Sequence, residues 1–178
     1  MPSPDPSHRR ERSETCRAAG EPSRSGVGIK ARAMRVDFYQ LSQTPVEAAL
    51  PALAAKMREA GAKVLVVSAD DAQLARISAA LWAPKGTFLA HGAAGGPNDA
   101  HQPILLSDTL DAPNEARFLA LADGLWREGA EAFERVFLLF DDAAINAARA
   151  VWRKLGEDEG AERNYWRQLD GGSWEKAG

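Results

Sequence analysis

At 178 residues and 45 % hydrophobic content, the chain has the length of one domain and enough apolar matter to bury a core. Its single cysteine, Cys16, excludes an internal disulfide framework and a cysteine-built zinc site, and suits a reducing compartment. Residues 1–33 carry seven Lys/Arg against four Asp/Glu, whereas 34–178 carry fifteen against twenty-one, so the larger part is acidic and has no general footprint for nucleic acid.

Residues 1–33 contain four prolines, no aromatic residue and no period of 2 or 3.6, which predicts a disordered extension or a start codon assigned too early. Asp5, Glu11, Glu14 and Glu21 argue against a transit peptide, and no apolar core of a secretory signal is present. No apolar run approaches the ~20 residues of a membrane span, so a soluble chain is expected. From Met34 the pattern is that of a folded domain. "RVDFYQL" (35–41) places Val36, Phe38 and Leu41 between polar neighbours and reads as a strand. "TPVE" (44–47) then predicts a capping box with Thr44 as N-cap and Glu47 at N3. The helix it opens runs to about Gly61, with Leu50, Leu53, Ala54 and Met57 on one face; Pro51 bends it or marks its true start.

"KVLVVSA" (63–69) is a nearly continuous apolar run, as a buried parallel strand requires. "DDAQLARISAALW" (70–82) is a second helix, with Leu74, Ile77 and Leu81 in one stripe. This alternation predicts an α/β domain over 34–178, a mostly parallel central sheet flanked by helices. "PILLSD" (103–108) and "RVFLLFDD" (135–142) are further strands. Residues 114–127 look helical by propensity, although "RFLALAD" could equally be an interior strand. A helix over 143–155, a short strand near 164–169 and a turn at "DGG" complete the chain.

Three places could carry chemistry. "FLAHGAAGGPNDAHQPILL" (88–106) sets His91, Asp99 and His101 around Gly92, Gly95 and Gly96. Its glycines fit neither a P-loop nor a dinucleotide fingerprint, no helix follows to present amides to a phosphate, and the two histidines lack a third metal ligand. An exposed connection is therefore expected, with no metal. Asp141 and Asp142 end a strand where α/β enzymes place catalytic groups, but Asp is also a good helix cap. Ser42, Ser68 and Ser78 lack the setting of a nucleophile elbow. A small cytosolic α/β enzyme using the Gly92–Gly96 loop, His91 and Asp141 is the alternative reading. Third, in the helix 143–155 Ile145, Ala148, Val151, Trp152 and Leu155 form an apolar stripe. Arg149 and Arg153, at i and i+4, flank it beside Trp152, a margin suited to an acidic peptide with an apolar side chain.

The order of several segments resembles the chi subunit of bacterial DNA polymerase III holoenzyme: "MRVDFYQL", "AALWAPKGTFLAHGAAGGPNDAHQPILLSD", and "FDDAAINAARAVWRKLGEDEGAERNYWRQLDGGSWEKAG". The resemblance spans nearly all of 34–178 and rests on the order of "FYxL", "LW", a glycine loop before an apolar strand, and a "YW…W" ending. Ala90 stands where the family has proline in "PHG". The resemblance implies a nucleotide-binding-like α/β fold without a nucleotide site, cofactor or metal, with a strand at 117–121. It implies a non-catalytic, cytoplasmic accessory subunit of the polymerase, monomeric outside the complex and touching nucleic acid only indirectly. Its implied partners are the psi subunit of the clamp loader and the acidic C-terminal tail of single-stranded-DNA-binding protein. The tail-binding positions fall on Arg149, Trp152 and Arg153, the last standing where lysine is usual. The psi-facing aromatics fall on Trp82 and Phe88; Trp82 ends an amphipathic helix, where core burial competes with that role.

Overall fold

The computed structural model describes residues 34–84, 88–157 and 160–178, so the extension expected at 1–33 lies outside the described residues. The elements are β1 (Met34–Gln40), α1 (Val46–Glu59), β2 (Val64–Val67), α2 (Asp71–Trp82), β3 (His91–Ala93), β4 (Ile104–Ser107), β5 (Phe118–Leu121), β6 (Arg135–Phe140), α3 (Ile145–Gly156), β7 (Ala161–Gln168) and β8 (Trp174–Lys176). They form one eight-stranded sheet in the order β3-β4-β2-β5-β6-β1-β7-β8, with every pairing parallel except β7–β8. This is the expected α/β fold, with the mostly parallel sheet flanked by three helices.

The continuous apolar run at 64–67 has a structural cause. β2 sits between β4 and β5, and all four of its residues are inaccessible to solvent. Because successive side chains leave a strand on opposite faces, Val64 and Val66 join the core under α1 and α2, while Leu65 and Val67 join the core under α3. β1 is likewise buried on both faces: Phe38 belongs to the α3 side and Tyr39 to the α1 side, so the expected alternation with polar neighbours is only partial. A buried leucine in such a core stabilises the fold by roughly 1.5–3 kcal/mol relative to exposure.

Several expectations are met locally. Leu50, Leu53, Ala54 and Met57 are the buried face of α1, and Gly61, at φ +73°, turns the chain after it. Asp70 caps α2 by accepting from the Ala72 amide at 2.9 Å. Residues 118–121 form a strand, not the helix that propensity suggested, because β5 fills the slot between β2 and β6.

Others are corrected. The capping box at Thr44 does not form, and α1 starts after Pro45 without a side-chain cap. Thr44 is drawn instead to β7: its hydroxyl accepts from Gln168 Nε2 at 2.8 Å and its amide donates to Gln168 Oε1 at 3.2 Å. Glu47 in turn pairs with Arg76 of α2 at 2.7 Å. Pro51 lies inside α1 and does not mark its start. The "DGG" turn leads into a further strand, β8, which pairs antiparallel with β7.

Candidate functional site

The glycine-rich segment is more ordered than a simple connection. It opens with β3, which pairs with β4 at the sheet edge, and continues through a tight turn into a short 3-10 turn at Asp99–His101. His91 is held at both ring nitrogens: Nε2 lies 2.9 Å from Ser78 Oγ and Nδ1 2.8 Å from the Leu89 carbonyl. Gly95 adopts φ +98°, which only glycine takes without strain, and so turns its amide toward Asp99. The Asp99 carboxylate accepts from the Gly95 amide at 2.7 Å and from the Gly96 amide at 3.0 Å. The amides that would cradle a phosphate are thus already occupied. Asp141 likewise accepts from the Ala143 and Ala144 amides at 3.0 and 3.2 Å, and Asp142 accepts from Gln40 Nε2 at 3.0 Å. Among the described residues no three His, Cys, Asp or Glu gather as a metal site would require.

A cleft of about 330 Å³ opens beside α3. β1 and β7 run parallel with Phe38 opposite Tyr165, and both rings project to the α3 side. Trp152 closes the wall, edge-on to Phe38 with centroids 5.0 Å apart and edge-on to Tyr165 at 6.2 Å. Ile145, Ala148 and Phe140 complete an apolar lining, with Arg149 at its margin. The Arg149 side chain is exposed and makes no hydrogen bond or ion pair with any described residue. Burial pushes the Tyr165 hydroxyl above its ordinary pKa, against the opposing pull of the Arg149 charge, and the hydroxyl donates to Gln40 Oε1. Arg153 is also exposed, one turn along α3, but does not line the cleft.

Sequence reasoning did not find Arg163. Its guanidinium lies 4.6 Å from the centre of the Trp152 ring, and Nη1 donates to the Trp152 carbonyl at 2.5 Å, so β7 fixes the indole from behind. Phe38, Phe140 and Tyr165 were also missed as cleft residues. The signal for Phe38 was present in the β1 pattern, but the pairing that brings Tyr165 beside it spans 127 positions and has no local trace. The main chain beyond β8 completes the cleft, with the Gly178 carbonyl accepting from the Tyr165 amide at 2.9 Å.

A second exposed feature lies at the β3 edge. Trp82 is 58 % and Phe88 77 % exposed, so Trp82 is not a core residue although it ends an amphipathic helix. Their ring centroids are 5.7 Å apart, and Trp82 also lies 4.8 Å from the His91 ring. Two contiguous exposed aromatics are unusual on a soluble surface and mark an interaction site more often than isolated apolar residues do.

A family model described as DNA polymerase III chi subunit, HolC, matches residues 34–162. Residues 163–178, with the aromatic ending and β8, lie outside that match. No curated protein matches the chain.

Proposed function

Since the chain belongs to the DNA polymerase III chi subunit family and serves as an accessory subunit in DNA replication, we propose that its α3 cleft grips the acidic C-terminal tail of single-stranded-DNA-binding protein. The observation that carries this reading is the unpartnered Arg149 guanidinium beside an aromatic-walled cleft. The last apolar side chain of the tail enters between Trp152, Phe38 and Tyr165, while Arg149 forks onto the terminal carboxylate. Arg153, outside the cleft but on the same exposed helix, meets acidic side chains further back along the tail. At the opposite edge of the sheet, Trp82 and Phe88 form the face for the psi subunit, so that one domain links the clamp loader to the protein that coats the template.

Calorimetric titration of the tail peptide tests the site. Charge-assisted hydrogen bonds are worth about 1.5–3 kcal/mol, so Arg149→Ala is expected to weaken binding about 10- to 100-fold with an unchanged melting curve. Arg153→Ala, farther from the cleft, is expected to weaken it less. Wild-type affinity in a folded Arg149→Ala protein would place the tail elsewhere.

A further inference from the structure

On the other face of β1 and β7 lies a second cleft of about 310 Å³, between α1 and the sheet. The alternation of β-strand side chains creates it: where Phe38 and Tyr165 face α3, their neighbours Tyr39 and Trp166 face the opposite way, again paired in register. Tyr39 is the centre of a ring cluster. Trp166 stacks on it at 5.9 Å and 8°, Phe137 lies at 6.1 Å, and Trp174 of β8 meets it edge-on at 4.8 Å.

The polar groups around this cluster divide into engaged and free. Asp37, wholly buried in β1, accepts from Arg135 Nε at 2.5 Å, from Trp166 Nε1 at 3.1 Å and from Arg35 Nη2 at 3.3 Å. Two of the three cations of the cleft are therefore tied to one carboxylate, and Arg135 also lies 4.6 Å from the Phe137 ring centre. The Lys56 side chain, on the exposed side of α1, makes no hydrogen bond or ion pair with a described residue. The Tyr39 hydroxyl has no described partner either, although the residue is only 6 % exposed. Burial, and after it the charge of Asp37, pushes this hydroxyl up to about 12, so it remains a neutral donor throughout the physiological range.

We propose that this cleft is a second docking site, for an acidic peptide segment that lays an apolar side chain against Trp166, Trp174 and Phe137 and offers carboxylates to Lys56 and the Tyr39 hydroxyl. One free cation and one free donor suit a single short anchor. A nucleic-acid strand needs a track of cations along its phosphates, and here Arg35 and Arg135 are engaged while Glu162 sits 3.8 Å from Arg35. The two clefts are thus back to back on the same pair of strands and separately addressable.

The test uses the full chain with nitrogen-15-labelled tryptophans, titrated with the capped peptide acetyl-Asp-Asp-Ile-Phe-amide. That peptide lacks the terminal carboxylate on which the α3 cleft acts. The indole N–H signals of Trp166 and Trp174 are expected to move, the affinity to fall about 10-fold in Lys56→Ala, and the same shifts to persist in Arg149→Ala. Tyr39→Phe, which keeps the ring, is expected to weaken binding by a smaller factor. Shifts confined to Trp152, unchanged binding in Lys56→Ala, or no shift at about millimolar peptide would each overturn the proposal. So would an eight-residue oligothymidylate that moved the Trp166 and Trp174 signals at lower concentration than the peptide.

Discussion

The glycine turn 91–99 and the α3 cleft present opposite uses of polar groups. In the glycine segment the groups that could meet a ligand already meet each other: Asp99 takes the Gly95 and Gly96 amides, and both nitrogens of His91 have partners. Beside α3 the apolar wall stands open, and the Arg149 side chain forms no hydrogen bond or ion pair with a described residue. A residue type commonly found in active sites says little until its hydrogen bonds are accounted for. What distinguishes a docking surface is a charge and an apolar wall left over after folding, because those are the groups a partner can still satisfy.

That contrast can be broken by experiment. The largest effect is expected from Trp152→Ala, which removes the wall itself: hot-spot aromatics cost at least ~2 kcal/mol when truncated, or about 30-fold in affinity. Stability should fall too, since the ring packs on Phe38 and under Arg163, and a melting curve alongside the titration separates the two losses. Asp99→Ala should behave in the reverse way. It frees two amides and is expected to lower stability by about 1–2 kcal/mol, read as a drop of a few degrees in Tm, with no change in tail affinity. A loss of tail binding there would mean the glycine turn takes part in recognition and the contrast is false. The histidines should separate as well. His91→Ala loses the Ser78 and Leu89 contacts and should cost about 1 kcal/mol in a denaturant melt, whereas the exposed His101, without a side-chain partner, should stay within about 0.5 kcal/mol of wild type.

What could be read from the residues alone followed the range of the interactions involved. β2 and α2 were legible because their causes are local: an unbroken apolar run, and an aspartate one residue before the helix whose side chain caps it. At Thr44 the local rule lost to a distant residue, since Gln168 satisfies both its amide and its hydroxyl. β5 carries helix formers in a strand because its neighbours β2 and β6 determine its backbone partners. For the site, the helix margin bearing Arg149 and Trp152 was visible as periodicity, but the cleft was not. Its opposite wall comes from β1 and β7, and no pattern in either strand announces that they lie side by side. At Trp82 the position at the end of an amphipathic helix left burial and exposure competing, and the indole is 58 % exposed while its neighbour Leu81 is buried.

The position of β1 has a consequence for how the molecule is made. Met34–Gln40 leaves the ribosome before any other described strand, yet both of its sheet neighbours, Arg135–Phe140 and Ala161–Gln168, are synthesised about a hundred residues later. At ~5–20 residues per second, the strand with its apolar face waits about 5–20 seconds for the first of them. The partners of β2, namely β4 and β5, are synthesised within that interval, whereas β1 has neither of its sheet neighbours until β6 emerges. The pairing of β1 with β7 brings together walls of both clefts. A polypeptide that ends before β7 therefore lacks the Tyr165 wall of one cleft and the Trp166 wall of the other.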